Sequence, residues 1–225
     1  MIVKGIVRDF GKLISEAEGR IIEGIKDGRM QTEPSITDRF LNELERIFEQ
    51  QGEKENIVFR ARTLRDRGPH APEHRFGADF CGVLDIQFGD FKQTKGFLSQ
   101  AKWEEKNGIF VQKGFMGATT ASFSCGNEFE RLNEQADKML SVTPDSFIMI
   151  YSTKGFVVVP ASSIKGLDSE GKLYAKPVDR FFKEYLMCFI GDPRLKAYDD
   201  HSLESLRVKT NARTAILFQI HEKRL

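Results

Sequence analysis

Two apolar segments, ADFCGVLDIQF at about 78–88 and KGFLSQAKW at 95–103, flank the polar run GDFKQTK. Strand-forming residues on either side of a polar turn predict an antiparallel hairpin. Side chains alternate along a strand, so Leu98, Gln100 and Lys102 share one face while Phe97, Ser99, Ala101 and Trp103 share the other. An amide and an ammonium group in an otherwise apolar strand need partners if they are buried. A turn centred near residue 90 sets Asp79 roughly across from Gln100 to Lys102, and a slip of one residue would send these groups to opposite faces. The same spacing also suits a plain strand end with a solvated lysine.

The remaining pattern surrounds this hairpin with helices. Residues 3–27 carry Ile6, Phe10, Leu13, Ile14, Ala17, Ile21 and Ile25 at helical spacing. A second helix follows Pro34, with Ile36, Phe40, Leu41, Leu44, Ile47 and Phe48 as its apolar stripe and Gly52 as its stop. NIVFRARTL at 56–64 reads as a first strand. The Gly, Ser and Thr-rich stretch at roughly 104–126 suits either a short hairpin or a loop beside a site. Asn127 with Glu130 has the spacing of a capping box, opening a helix to 140. DSFIMIYST and GFVVVPASSI read as two strands joined at Lys154-Gly155, DRFFKEYLMCFIGD (179–192) as a helix and TAILFQIHE (214–222) as a final strand. The order is mixed α/β: a central sheet with helices against it, in a single domain spanning 1–225.

Charge and composition narrow the function. The net charge of +1 excludes a chain that binds nucleic acid through bulk charge, so any such contact must be local. Arg60, Arg62, Arg65 and Arg67 in FRARTLRDRG form the best local patch, and a solvated strand end gives the same sequence. No apolar run is long enough to span a bilayer and no signal peptide opens the chain, so a soluble cytoplasmic protein with no membrane partner is expected. Cys81, Cys125 and Cys188 are odd in number and widely spaced, which points to free thiols. His70 and His74 lack the partners of a zinc site.

A carboxylate, an amide oxygen and a lysine at one end of a sheet suit phosphodiester hydrolysis. The first two are hard ligands for Mg²⁺, and the lysine supplies positive charge where negative charge develops. Asp79 in FGADFCGVLDIQ followed by Gln100-Ala101-Lys102 in GFLSQAKW resembles the two-part motif of the PD-(D/E)xK nuclease superfamily. Gln100 stands where most members carry an acid, and in this it resembles the Mrr-type restriction branch. The resemblance implies a restriction endonuclease-like αβββαβ core over residues 30–160, a mixed central sheet flanked by helices, with an N-terminal helix and a C-terminal α/β extension at 161–225 packed on the core.

It also implies a metal-dependent endonuclease acting on DNA in restriction or defence. Asp79 and Gln100 would hold Mg²⁺ or Mn²⁺, Lys102 would assist catalysis, and Glu33 would complete the site from the first core helix. Glu43 or Glu45 on that helix is an alternative candidate, Glu73 and His74 could line the same cleft, and Gln135, on the next helix that flanks the site, would contact the DNA. A homodimer would suit double-strand cutting. Loss of the second acid at Gln100 equally suits a catalytically inactive module of the same fold that binds nucleic acid or protein.

Overall fold

The computed structural model describes residues 2–51, 53–54, 57–65, 78–114, 118–124, 126–167 and 170–223. Helix α1 runs Ile2–Lys26 and α2 Glu33–Gln51. Strands β1 (Glu53–Lys54), β2 (Ile57–Arg65), β3 (Ala78–Phe88) and β4 (Phe91–Trp103) follow, and a 3₁₀ turn at Glu104–Lys106 leads to β5 (Ile109–Lys113) and β6 (Thr119–Phe123). Then come α3 (Asn127–Val142), β7 (Ser146–Tyr151), β8 (Val157–Pro160) and α4 (Ala161–Lys165). The last elements are β9 (Gly171–Tyr174), β10 (Lys176–Pro177), α5 (Val178–Leu186), α6 (Asp200–Thr210) and β11 (Ala212–Glu222). No helix among the described residues is long and apolar enough to cross a membrane.

Eight strands form a mixed sheet in the order β1-β2-β11-β3-β4-β7-β8-β10. Helices cover both faces, as alternation along nearly fully buried strands requires. One core gathers α1, α2 and α5 over Phe59, Phe80, Phe97, Ala101 and Phe218. The other gathers α3, α4 and α6 over Cys81, Val83, Leu98, Ile148 and Leu217. Phe97 centres the first core, with ring centroids 4.9 Å from Tyr185 and 5.1 Å from Phe181 in edge-to-face contact. The opposing residue on β3 is Gly82, where an added Cβ would stand 2.4 Å from the Phe97 ring, so glycine is what admits that ring.

The β3–β4 hairpin turns at Gly89, whose φ of +51° suits glycine, and Phe80 pairs with Ser99. Strand β7 lies parallel to β4 with Gln100 beside Ile148 and Lys102 beside Ile150. The stretch at 104–126 contains a hairpin, β5–β6, which β9 extends into a separate three-stranded sheet.

Three expectations need correction. Asn127 is the first residue of α3 and not its cap; Gly126 takes that place at φ +136° without a side-chain hydrogen bond, so no capping box forms. The helix expected over 179–192 stops at Leu186 because Cys188 enters the left-handed region at φ +66°. The C-terminal residues are more than a layer packed on a 30–160 core: β11 is an interior strand, antiparallel to β2 on one side and parallel to β3 on the other. Helix α6, which the sequence pattern did not mark, lies just before it and packs on the same strands. Cys81 is buried and Cys188 exposed, both as free thiols. Cys125, Arg67, His70, Glu73 and His74 lie outside the described residues.

Candidate active site

The hairpin register brings its polar groups together. Since Phe80 opposes Ser99, Asp79 is the next residue along and falls opposite Gln100. Its Oδ2 accepts the main-chain N–H of Ala101 at 2.8 Å and a short hydrogen bond from Gln100 Nε2. Gln100 and Lys102 share a face of β4 with Leu98, and both are buried, at 5% and 4% exposure. Lys102 forms no hydrogen bond or ion pair with the described residues, although the residue is almost wholly buried. Its charge nonetheless acts on Asp79.

Helix α2 crosses this end of the sheet with its first turns. Glu33 Oε1 accepts the main-chain N–H of Trp103 at 2.9 Å and the Asn107 side-chain amide at 2.5 Å. Asn107 also donates to the Trp103 carbonyl at 2.7 Å, so Glu33 and Asn107 together fix the strand end that follows Lys102. Glu43 does not join the site; it pairs with Arg46 and Arg20. Glu45 lies 3.9 Å from Arg62.

A further cation stands at Asp79. Ala212 pairs with Ala78 and Thr214 with Phe80, which sets Arg213 beside Asp79 across the parallel β11–β3 ladder. Arg213 Nε lies 3.8 Å from Asp79 Oδ1, and its Nη1 donates to Asp38 Oδ1 on α2 at 2.9 Å. Burial raises the Asp79 carboxyl above its usual range; the Ala101 N–H, Arg213 and Lys102 pull it down, while the Glu33 charge pushes it up. The charges of Glu33, Arg213 and Lys102 thus all act on the Asp79 carboxyl at one end of the sheet.

Pattern reading missed Arg213 and Asp38. Arg213 precedes the apolar run TAILFQIHE by one residue, and nothing local signals that this strand pairs with β3. The arginine run of β2 does not form one surface. Alternation separates Arg60 and Arg62 from Arg65. Arg62 lies 3.4 Å from Asp200, whereas Arg65 donates to the Asp38 carbonyl at 2.8 Å and to the Asn42 side chain. Gln135 sits half-buried on α3 with a buried Oε1 that has no hydrogen-bond partner among the described residues.

Compared with protein-family models, curated proteins and solved structures, the chain finds no match in any of the three.

Proposed function

We propose that the protein is a metal-dependent nuclease that hydrolyses DNA phosphodiester bonds on a restriction endonuclease-like αβββαβ core. The observation that carries this reading is the meeting of three groups at one end of the β3–β4 hairpin: the Asp79 carboxylate, the Gln100 amide, and Lys102, which has no partner among the described residues. Elements α2, β2, β3, β4, α3 and β7 succeed one another along the chain as in an αβββαβ core, with β7 parallel to β4, while β11 stands between β2 and β3 in the sheet. Restriction or defence against foreign DNA is the role that the motif resemblance suggests.

The donor set suits a hard cation. Asp79 Oδ2 is engaged by Ala101 and Gln100, and Oδ1, with Arg213 Nε at 3.8 Å, is the oxygen that would meet a metal ion. Gln100 directs its Nε2 at Asp79, so its oxygen becomes a ligand once the amide turns over. Mg²⁺ or Mn²⁺ held by these two residues would supply an activated water and neutralise phosphate charge. The Lys102 ammonium would offset the negative charge that grows on the phosphoryl oxygens. Glu33 fixes the main chain just past Lys102 and so sets where that ammonium sits.

A second reading, an inactive module of this fold that binds nucleic acid or protein, is favoured by Arg213. A guanidinium already offsets the Asp79 charge, and Gln100 offers that carboxylate a donor in place of a second acid. Incubation with plasmid, linear and single-stranded DNA, with and without Mn²⁺, decides between them. The nuclease reading expects cleavage by the wild type and none by Asp79→Ala or Lys102→Ala. Equal cutting by all three proteins would remove the proposed site; salt-sensitive binding without cutting would favour the inactive module.

A further inference from the structure

We propose that Arg213 is an internal competitor for the cation at Asp79, so that the site binds metal weakly until the guanidinium is drawn away. The inference rests on the reading of Asp79 as a metal ligand and adds a regulating residue to it. The two oxygens of Asp79 are unequal. Oδ2 is occupied by the Ala101 N–H and the Gln100 amide, and Oδ1 is the one that Arg213 faces, with Nε at 3.8 Å. A divalent ion at Oδ1 would meet a fixed positive charge within ion-pair distance.

Arg213 is also incompletely held. Its Nη1 is anchored on Asp38, but Nε and Nη2 are buried and have no hydrogen-bond partner among the described residues. Buried arginine donors are ordinarily satisfied, and these two lie on the part of the fork turned away from its anchor. Such a group can shift without breaking hydrogen bonds on that side. A phosphodiester oxygen carries the acceptors those donors lack, and guanidinium binds it readily. Substrate that engages Arg213 would uncover Oδ1, coupling metal binding to substrate binding.

The test is Mn²⁺ affinity measured by electron paramagnetic resonance at pH 8, without DNA, for wild type, Arg213→Met, Arg213→Gln, Arg213→Lys and Asp79→Asn. Circular dichroism and thermal melts establish which variants are folded, and the glutamine variant serves if the methionine variant is not. The expected result is Mn²⁺ binding about tenfold tighter when the charge at position 213 is removed. Arg213→Lys should stay near wild type, and adding Asp79→Asn to Arg213→Met should abolish the gain. Equal or weaker binding by both neutral variants overturns the inference while leaving Asp79 a metal ligand. Absence of Mn²⁺ binding at millimolar concentration in every folded variant overturns both readings together.

Discussion

Asp79 Oδ2 accepts the main-chain N–H of Ala101 at 2.8 Å, so the acid on β3 is fastened to the middle of the Gln100-Ala101-Lys102 triplet on β4. The carboxylate is thereby positioned by backbone, which no change of side chain at Gln100 or Lys102 would remove. Positioning comes with an energetic penalty. Burial raises the Asp79 pKa in the folded protein, so the folded state holds a proton more tightly than the unfolded chain. Stability from this group therefore falls as pH rises from the unfolded carboxylate range through the folded value. Asp79→Asn should make the protein more stable near neutral pH by about 1 kcal/mol, with the gap closing below about pH 3. Urea melts across that range measure it, and a less stable variant at pH 7 would count against a destabilising carboxylate.

Lys102 is buried without a partner among the described residues, and the nuclease reading gives its ammonium a part in the chemistry and none in holding the fold. Lys102→Met keeps the aliphatic stem and removes the charge. It should leave stability unchanged or raise it by about 1 kcal/mol, while DNA cleavage falls by about a hundredfold or more. Paired thermal melts and Mn²⁺-dependent cleavage rates provide the check; a large loss of stability would mean that the ammonium is a structural group.

Glu33 offers a way to separate support from catalysis. Its Oε1 accepts two hydrogen bonds that fix the end of β4, and a glutamine side chain at this position would keep an acceptor there. Glu33→Ala should cost about 1–3 kcal/mol in chemical denaturation. Glu33→Gln should cost well under about 1 kcal/mol. If the Glu33 charge takes part in metal binding, the glutamine variant loses cleavage at nearly full stability; retained cleavage assigns Glu33 to support alone.

Acid sensitivity should also arise away from the site. Asp192 is buried, and the Arg194 side chain, Arg194 N–H and Thr143 hydroxyl bonded to it lower its pKa to about 2. The folded value lies below the unfolded one, so the stabilisation is present above about pH 4 and is lost as pH falls toward about 2. Asp192→Asn should cost about 1–2 kcal/mol at pH 7, since exposed Arg194 is partly screened by solvent, and its acid transition should be shallower. Denaturation midpoints of both proteins between pH 2 and pH 6 test this.

Residues 30–160 alone should not fold into a stable domain. Without β11 the sheet would divide between β2 and β3, and the apolar residues that pack against Ile216, Leu217, Phe218 and Ile220 would be exposed on both faces. The expressed fragment should lack cooperative unfolding, and a sharp thermal transition in it would show that β2 can pair with β3 directly.

The hairpin was legible because a polar turn and strict alternation act over neighbouring residues: they fix Gln100 and Lys102 on one face and, through the turn at Gly89, the approach of Asp79. Helices α1, α2 and α3 were legible for the same local reason, their apolar spacing. Arg213 was not, because its approach to Asp79 depends on a parallel pairing between strands separated by more than a hundred residues. Alternation also divides the described part of the arginine run: Arg60 and Arg62 fall on one face of β2 and Arg65 on the other.

The interior position of β11 fixes the order in which the chain can close into one sheet. Residues 212–222 are synthesised after every other described strand, yet they separate β2 from β3 and bring Arg213 to Asp79. Until β11 is made, β2 and β3 lack the strand that lies between them, and unpaired strand edges are prone to pair wrongly. Closing them demands long-range contacts, which slows folding. Asp79, Gln100 and Lys102 can meet earlier on their hairpin, but the guanidinium that faces Asp79 arrives last.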